Sequence, residues 1–302
     1  MELRQLQIFL RVAEEQSISR AAELLHLAQP SVSQAIRQLE SELRGELFLR
    51  SRRGVSLTAA GHSLVEPARQ MLRDLVVAKE SVADVLGLKG GNLHIAAVPA
   101  LAVDPLAPML GAYRRRYPDV KLHIIDPADV ADTPSYVRSG RCEIGLVENI
   151  APQPGLCLHE LDAQEIVLIL PPGAAVATDQ VSWEELARFE FVTSPPGRSV
   201  SRSRLDYIFG KTGKELRICV ESDHRTAISE FVLAGAGAAL LRRPLAAAIV
   251  ERGARAYPLQ PRLEHQVTLI HRDRTLSPAA RAFVRLASLQ SGRGEPECSS
   301  YR

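Results

Sequence analysis

Residues 29–45 read QPSVSQAIRQLESELRG, and the fold turns on how that stretch is used. Val32, Ile36, Leu39 and Leu43 recur at i, i+4, i+7 and i+11, one stripe of an α-helix. At about 100° per residue, Pro30, Ser33, Gln34, Arg37 and Ser41 fall on the opposite side. That face carries hydrogen-bonding side chains and one arginine but no acid. Glu40 and Glu42 lie off its centre, in the C-terminal half. A helix held by one stripe, with its N-terminal half open to hydrogen bonding, has what a reader of the DNA major groove needs. The same pattern also describes an ordinary amphipathic surface helix, so its neighbours decide.

Upstream, Leu3, Leu6, Phe9, Leu10 and Ala13 predict a first amphipathic helix, which the polar residues 14–16 end. Ser19 is the expected N-cap of a second helix, ISRAAELL, where Ala21 and Ala22 beside Leu24 and Leu25 let another helix come close. Only His26, Leu27 and Ala28 separate it from the Gln29 helix, whose first turn holds Pro30. Two short helices joined that tightly form a helix-turn-helix. Downstream, Leu47, Phe48 and Leu49 predict a strand. Arg50, Arg52 and Arg53 precede the turn residue Gly54, and Val55, Ser56 and Leu57 alternate as a second strand. A loop arginine cluster is commonly just solvated. Directly after a helix-turn-helix it becomes a wing, a basic hairpin placed to grip phosphates or enter the minor groove.

The run LxIFxxVAEEQSxSRAAExLHxAQPSVSQAIRQLESELxxxLFxRSxRGVxLTxAG resembles the N-terminal domain of the LysR-type transcriptional regulators over its full length. The QPSVS start, the QLE and LF pairs and the LT-x-AG lead into the next helix all coincide. One departure is Gly45-Glu46, where the family tends to place a basic or polar residue. The resemblance implies base contact by Gln29, Pro30, Ser33, Gln34 and Arg37, and phosphate or minor-groove contact by Ser31, Arg50, Arg52 and Arg53.

Thr58 is the expected cap of a long helix running to about residue 87. Within it Leu64, Ala68, Met71, Leu75, Ala78, Val82 and Val85 alternate steps of four and three, the 3.5-residue repeat of a coiled-coil seam. A second copy of the chain is the expected cover for that stripe, the alternative being the chain's own C-terminal domain. Pro67 removes one backbone hydrogen bond and predicts a bend. A dimer also suits the reading heads, since two-fold related helices match inverted-repeat DNA.

Lys89, Gly90, Gly91 and Asn92 read as a hinge. Beyond them, strands are expected over residues 93–98, 120–125, 143–147, 165–170, 191–193, 216–220, 238–241 and 265–271. Helices are expected over 105–117, 182–189, 201–209, 226–233 and 278–289. The alternation predicts an α/β domain with a largely parallel sheet. AVPALAVDPLAPMLGAYRRRYPDVKLHI, EIGLV and AISEFVLAGAGAALLRRPLA resemble, more loosely, the effector-binding domain of the same family. That resemblance implies two α/β subdomains like those of a periplasmic binding protein, with a ligand cleft between them. Open α/β sheets bind ligands beyond the carboxyl ends of their strands, where helix N-termini offer free N–H groups. This rule selects residues 98–101 and 147–149 on one side, among them Pro99, Ala100, Leu101 and Val147, and residues 193–199 and 223–225 on the other, among them Thr193, Ser194, Arg198, Ser199, His224 and Arg225. Family members often carry a hydroxyl just after the first strand, where Pro99 stands here. The hydroxyl-rich, mildly cationic set favours a small carboxylate, although Ser199 serves equally as a helix cap and Arg198 as a solvated charge.

Composition bounds the rest. The chain has 302 residues, 46% apolar and 24% charged, and a formal net charge of +2, so polyanion binding must come from a local arrangement. Arginine outnumbers lysine, which suits bidentate phosphate and guanine contacts but also follows from codon usage. No apolar run reaches the ~20 residues that cross a bilayer, and the N-terminus does not read as a signal peptide. Cys142, Cys157, Cys219 and Cys298 lack zinc spacing and are expected as reduced, mostly buried thiols. Neither G-x-S-x-G nor G-x4-G-K-[ST] occurs, and no paired histidines have ligand spacing.

The expected architecture is therefore an α+β multidomain chain: a winged helix-turn-helix over 1–58, a linker helix and hinge over 59–91, a two-subdomain α/β effector domain over 92–291, and a disordered tail over 292–302. Subdomain I would comprise about 92–161 and 266–291, and subdomain II about 162–265. The expected function is a cytoplasmic, sequence-specific DNA-binding regulator, not an enzyme, without a cofactor, metal or membrane. Its expected partners are double-stranded promoter DNA, a small-molecule effector, further copies of itself as homodimer and homotetramer, and RNA polymerase as a further contact. A cytoplasmic solute receptor or an enzyme on the same α/β fold is the alternative.

Overall fold

The structure is a computed structural model and describes residues 1–51, 54–85, 90–127, 129–273 and 276–291. The chain divides into two compact units, with the division after the long helix, and each is described by itself.

The first unit holds three helices, α1 (Leu3–Glu15), α2 (Ile18–Leu25) and α3 (Gln29–Leu43), then a hairpin of β1 (Phe48–Ser51) and β2 (Gly54–Leu57), then the long helix α4 (Ala59–Val85). Ser17, not Ser19, caps α2, its side chain accepting from the Arg20 N–H, so the helix starts one residue before Ser19. The α3 stripe is buried at Val32, Ile36 and Leu39, whereas Leu43 is exposed, because the helix ends there and Arg44 turns left-handed at φ 54°. These residues pack with Leu6, Phe9, Val12, Ala21 and Ala22 into one core, which Phe48 joins through a 5.4 Å ring contact with Phe9.

Two glycines let the hairpin close against this core. Gly54 has φ +128°, and a Cβ there would sit 2.8 Å from the Gln16 carbonyl oxygen. Gly61, where α4 leaves the wing, would place a Cβ 2.2 Å from the Leu47 oxygen, inside any real contact distance. Thr58 starts α4 as expected, its Oγ1 accepting from the Gly61 N–H at 2.9 Å. The heptad stripe is divided in use: Leu64, Ala68 and Met71 pack on the head's own core, while Ala78 and Val82 stay exposed. Pro67 lies within the helix.

The second unit opens with β3 (Gly91–Ala96), a helical turn α5 (Pro99–Leu101), a wide turn over Ala102–Leu106, and α6 (Ala107–Arg116). Asp104 is extended at φ −146°, so the expected helix over 105–117 begins late. Then follow β4 (Val120–Ile125), α7 (Thr133–Arg138), β5 (Ile144–Glu148) and the fifteen-residue strand β6 (Leu156–Leu170). Next come β7 (Val181–Ser182), β8 (Phe191–Thr193), α8 (Val200–Thr212), β9 (Ile218–Glu221), α9 (Ile228–Leu233), β10 (Ala239–Arg242) and α10 (Arg243–Val250). The eighteen-residue strand β11 (Arg255–Arg272) and α11 (Pro278–Gln290) complete it. The helix expected over 182–189 is only a single tight turn at Glu185–Arg188. α10 is additional, an alanine-rich helix that starts with Pro244 in its first turn.

The main sheet has the order β10-β6-β11-β5-β3-β4, with β7 beside β11. Only β5-β3 and β3-β4 are parallel within that row; β10-β6, β6-β11 and β11-β5 are antiparallel, so the sheet is mixed and not largely parallel. The cause is the length of β6 and β11. Each runs through both lobes and pairs with the other on either side of register shifts between Pro258 and Leu263 and between Gln266 and Thr268. Lobe I places β4, β3 and β5 beside one half of this ribbon, with Tyr113 and Phe283 in its core. Lobe II places β10 beside the other half and adds the parallel pair β8-β9. Its sheet is covered by α8 in one apolar cluster and by α9 and α10 in another.

Cys142 and Cys219 are thiols, the first buried and the second exposed, and Cys298 lies outside the described residues. The tail over 292–302 and the hinge residue Lys89 lie outside the described residues.

Candidate functional site

The α3 face built by the buried stripe presents Gln29, Pro30, Ser31, Gln34 and Arg37 to solvent, with Ser33 half-buried. No described residue pairs with the guanidinium of Arg37 or hydrogen-bonds the side chains of Gln29, Ser31 and Gln34. The N-cap is Ala28, which makes no side-chain bond; Pro30 has no N–H and the Ser31 and Val32 N–H groups donate to the Ala28 carbonyl, so the first turn of α3 leaves the Gln29 N–H for a ligand. The wing is fixed to the same helix through Glu40, whose Oε1 accepts from the Leu47 and Phe48 N–H groups at 2.9 and 3.2 Å. That acid, off the exposed face in sequence, is a structural tether. Arg50 lies in β1, but its side chain, with Arg52 and Arg53, falls outside the described residues.

In the second unit a cavity of about 400 Å³ lies between the lobes. Of the residues selected from sequence, Pro99, Ala100, Thr193, Ser194, Arg198, Ser199 and Arg225 line it. Leu101, Val147 and His224 do not. Leu101 is 1% exposed and turned into the lobe I core, Val147 packs with Ala96, Val137 and Ile270, and His224 is exposed away from the cavity. Strand alternation explains the Val147 correction: consecutive side chains face opposite sides, so it is the next residue, Glu148, that reaches the cavity.

Of the charged floor, sequence reading reached Glu148, inside the 147–149 stretch, but missed its partners. Glu148 from β5, Arg242 from β10 and His265 from β11 line the cavity, with side chains 2%, 6% and 1% exposed. Arg242 pairs with Glu148 at 3.1 Å and donates to Gln164 Oε1 at 3.0 Å; Gln164 in turn donates to Asp104. His265 Nδ1 lies 3.2 Å from Glu148 Oε2, while its Nε2 accepts from the Arg204 Nε–H at 2.8 Å. An arginine can only donate, so His265 is neutral with its proton on Nδ1, donated to Glu148. Burial pushes the Glu148 carboxyl up, but the His265 hydrogen bond and the charge of Arg242 outweigh it, and Glu148 sits below its ordinary range. Burial likewise lowers Arg242, against the pull of Glu148 and Asp104. Their separation along the chain hides this cluster from any local pattern.

The mouth is closed from lobe II by Arg225, which donates to Asp126 of lobe I at 2.5 Å and to the Arg198 carbonyl at 3.1 Å. Ser194 and Ser199 share a 2.5 Å hydroxyl bond, and Ser199 also caps α8 by accepting from the Arg202 N–H. Among the described residues no group of His, Cys, Asp and Glu side chains is placed to hold a metal, and no helix is long and apolar enough to cross a membrane.

A winged helix-turn-helix followed by a two-lobed α/β domain with a cavity between its lobes defines a DNA-binding regulator with an effector-binding domain. The family model described as "Bacterial regulatory helix-turn-helix protein, lysR family" matches residues 3–62, and "LysR substrate binding domain" matches residues 87–290. The chain belongs to the LysR family of transcriptional regulators, which are not enzymes. It is 32% identical over 269 residues to the probable HTH-type transcriptional regulator LrrA of Synechococcus elongatus, covering 88% of this chain and 89% of that one. It is also 32% identical over 242 residues to the HTH-type transcriptional regulator ShiR of Corynebacterium glutamicum, covering 80% and 82%. Among solved structures, full-length CbnR complexed with its target DNA shares the fold at a TM-score of 0.68 and 23% identity, over 96% of this chain and 99% of that one.

Proposed function

We propose that this chain is a cytoplasmic, sequence-specific promoter-binding regulator that works as a dimer of dimers and is switched by a small carboxylate bound between its lobes. The observation that carries the DNA assignment is the α3 face. Arg37 and Gln34 are exposed without protein partners, beside an uncapped helix N-terminus, and unpaired donors held on a rigid element are what base recognition needs. Gln29, Pro30, Ser33, Gln34 and Arg37 read bases, while Ser31, Arg50, Arg52 and Arg53 hold the phosphate backbone. The solved CbnR complex with its target DNA supports the use of this fold on duplex DNA. Arg37→Ala should cost about 1–3 kcal/mol of operator affinity and relax sequence preference, read by titrating labelled operator and scrambled duplexes at fixed salt. Equal operator affinity in the variant would remove that face from the reading.

The exposed Ala78 and Val82 end of the α4 stripe is the surface a second copy covers, since the Leu64 to Met71 end is used by the head itself. Two heads so joined meet the two halves of an inverted repeat, and pairing of effector domains extends the dimer to a tetramer, with RNA polymerase a further contact. Val82→Glu, at a side chain 61% exposed, should leave the fold intact and yield monomers in sedimentation velocity. A dimer that survives it places the interface elsewhere. In the second unit, effector binding biases the lobes toward one orientation; coupling of this kind is worth about 1–3 kcal/mol, enough to alter promoter occupancy.

A further inference from the structure

We propose that the effector is an elongated monocarboxylate, with its head at the Thr193–Ser199 end of the cavity and an apolar chain or aryl group laid along α10. This rests on the reading of the cavity as the effector site. Charge along the lining is uneven. Arg242 and Arg252 are matched by Glu148 and Glu230, acids that also line the cavity. Arg198 and Arg225 line the cavity as well, while their described partners Asp223 and Asp126 do not, so at this end guanidinium groups face the cavity and those carboxylates are set back from it. At that same end Thr193 is 4% exposed and faces the cavity, and no described residue hydrogen-bonds its hydroxyl. The first turn of the thirteen-residue α8, with Val200 and Ser201 on the lining, adds N–H groups suited to an anion.

The other end is apolar and long. Leu245, Ala248 and Ile249 of α10 line the cavity at i, i+3 and i+4, about 6 Å along one face of the helix, and Arg252, just past its end, extends the lining. Ile228 of α9 lies on the lining too, and α9 and α10 share one apolar core. Arg252 closes the gap between those helices with two hydrogen bonds to Glu230, at 2.6 and 2.9 Å. A second carboxylate on the ligand would find that arginine already occupied and Glu230 beside it. A sugar or polyol would bury hydroxyls against Leu245, Ile249 and Ile228 without partners, which is costly. A single anionic head with an apolar body matches both ends.

The test uses the full-length protein, with butanoate, octanoate, 3-phenylpropanoate, octanol and succinate as probes in calorimetry. Octanoate or 3-phenylpropanoate is expected to bind at least ten-fold more tightly than butanoate or succinate, and octanol at least ten-fold more weakly than octanoate. Ala248→Phe, at an exposed helical position, should erase the gain from chain length; Thr193→Val should weaken every acid alike. Octanoate no better than butanoate, octanol equal to octanoate, or a gain that survives Ala248→Phe would each overturn the elongated-acid assignment. Absence of binding by every acid, long or short, would overturn the wider reading of the cavity as a carboxylate site.

Discussion

Glu148→Ala is expected to destabilise the second unit by about 3–5 kcal/mol, the cost of leaving a buried charge without its counter-ion. Arg242, 6% exposed, would keep only Gln164 and a long 3.4 Å contact to the Asp104 carbonyl. His265 would lose the acceptor of its Nδ1 proton, while Arg204 still donates to its Nε2. The effect comes from the arginine that remains, more than from the pair itself. Glu148→Leu combined with Arg242→Leu should therefore recover most of the loss, because replacing a buried pair by apolar side chains is often neutral. Trp183, the chain's single tryptophan, belongs to lobe II and reports its urea unfolding separately from the DNA-binding unit. A single variant within 1 kcal/mol of the parent, or a double variant no better than the single one, would show that water or a shifted side chain compensates Arg242.

The second large effect is acid lability from a buried histidine pair. His159 of β6 and His271 of β11 face each other with Nε2 atoms 2.7 Å apart. His271 Nδ1 lies 2.7 Å from the Arg272 carbonyl and so carries a proton there. Its Nε2 is then an acceptor, His159 donates to it, and His159 Nδ1 is left buried without a partner. Burial first, then repulsion from His271, lowers His159 to about 4. Burial also lowers His271, partly offset by the Arg272 carbonyl and by Asp273 and Glu143. Both groups bind protons more readily when unfolded. Stability is thus fully present above about pH 6.5 and is lost as the pH falls toward 4, by about 3 kcal/mol from His159 alone. Melting temperature against pH should fall between pH 6.5 and 5 in the parent and much less in His159→Leu. Parallel curves for the two proteins would refute the assignment.

These clusters also mark where sequence reading ends. The recognition helix, the wing, the Thr58 start of α4 and the strands β4 and β8 were legible because each is specified by neighbours within a few residues: a stripe, a cap, a turn glycine. Part of the cavity was legible for the same reason, since Pro99 and Ser194 follow strand ends, Thr193 closes one and Ser199 starts a helix. Arg242 and His265, and their pairing with Glu148, were not, because the three come from strands that meet only through the order β10-β6-β11-β5. Nor does periodicity show that β6 and β11 run on through both lobes, as a continuous strand and two shorter ones share the same alternation. That one feature turned an expected parallel sheet into a mixed one.

The passage of β6 and β11 through both lobes has a mechanical consequence. A cleft swung on two loose connecting segments behaves as a door: it opens freely and has no preferred angle. Here the lobes share a two-ply ribbon whose strands are bonded to each other on both sides of the crossing, interrupted at the register shifts near Leu263 and Gln266. Moving one lobe against the other must flex that ribbon, as a leaf spring is flexed, and the work returns when the load is removed. The protein therefore carries its own restoring force, so that a ligand leaving the cavity resets the shape without any second signal.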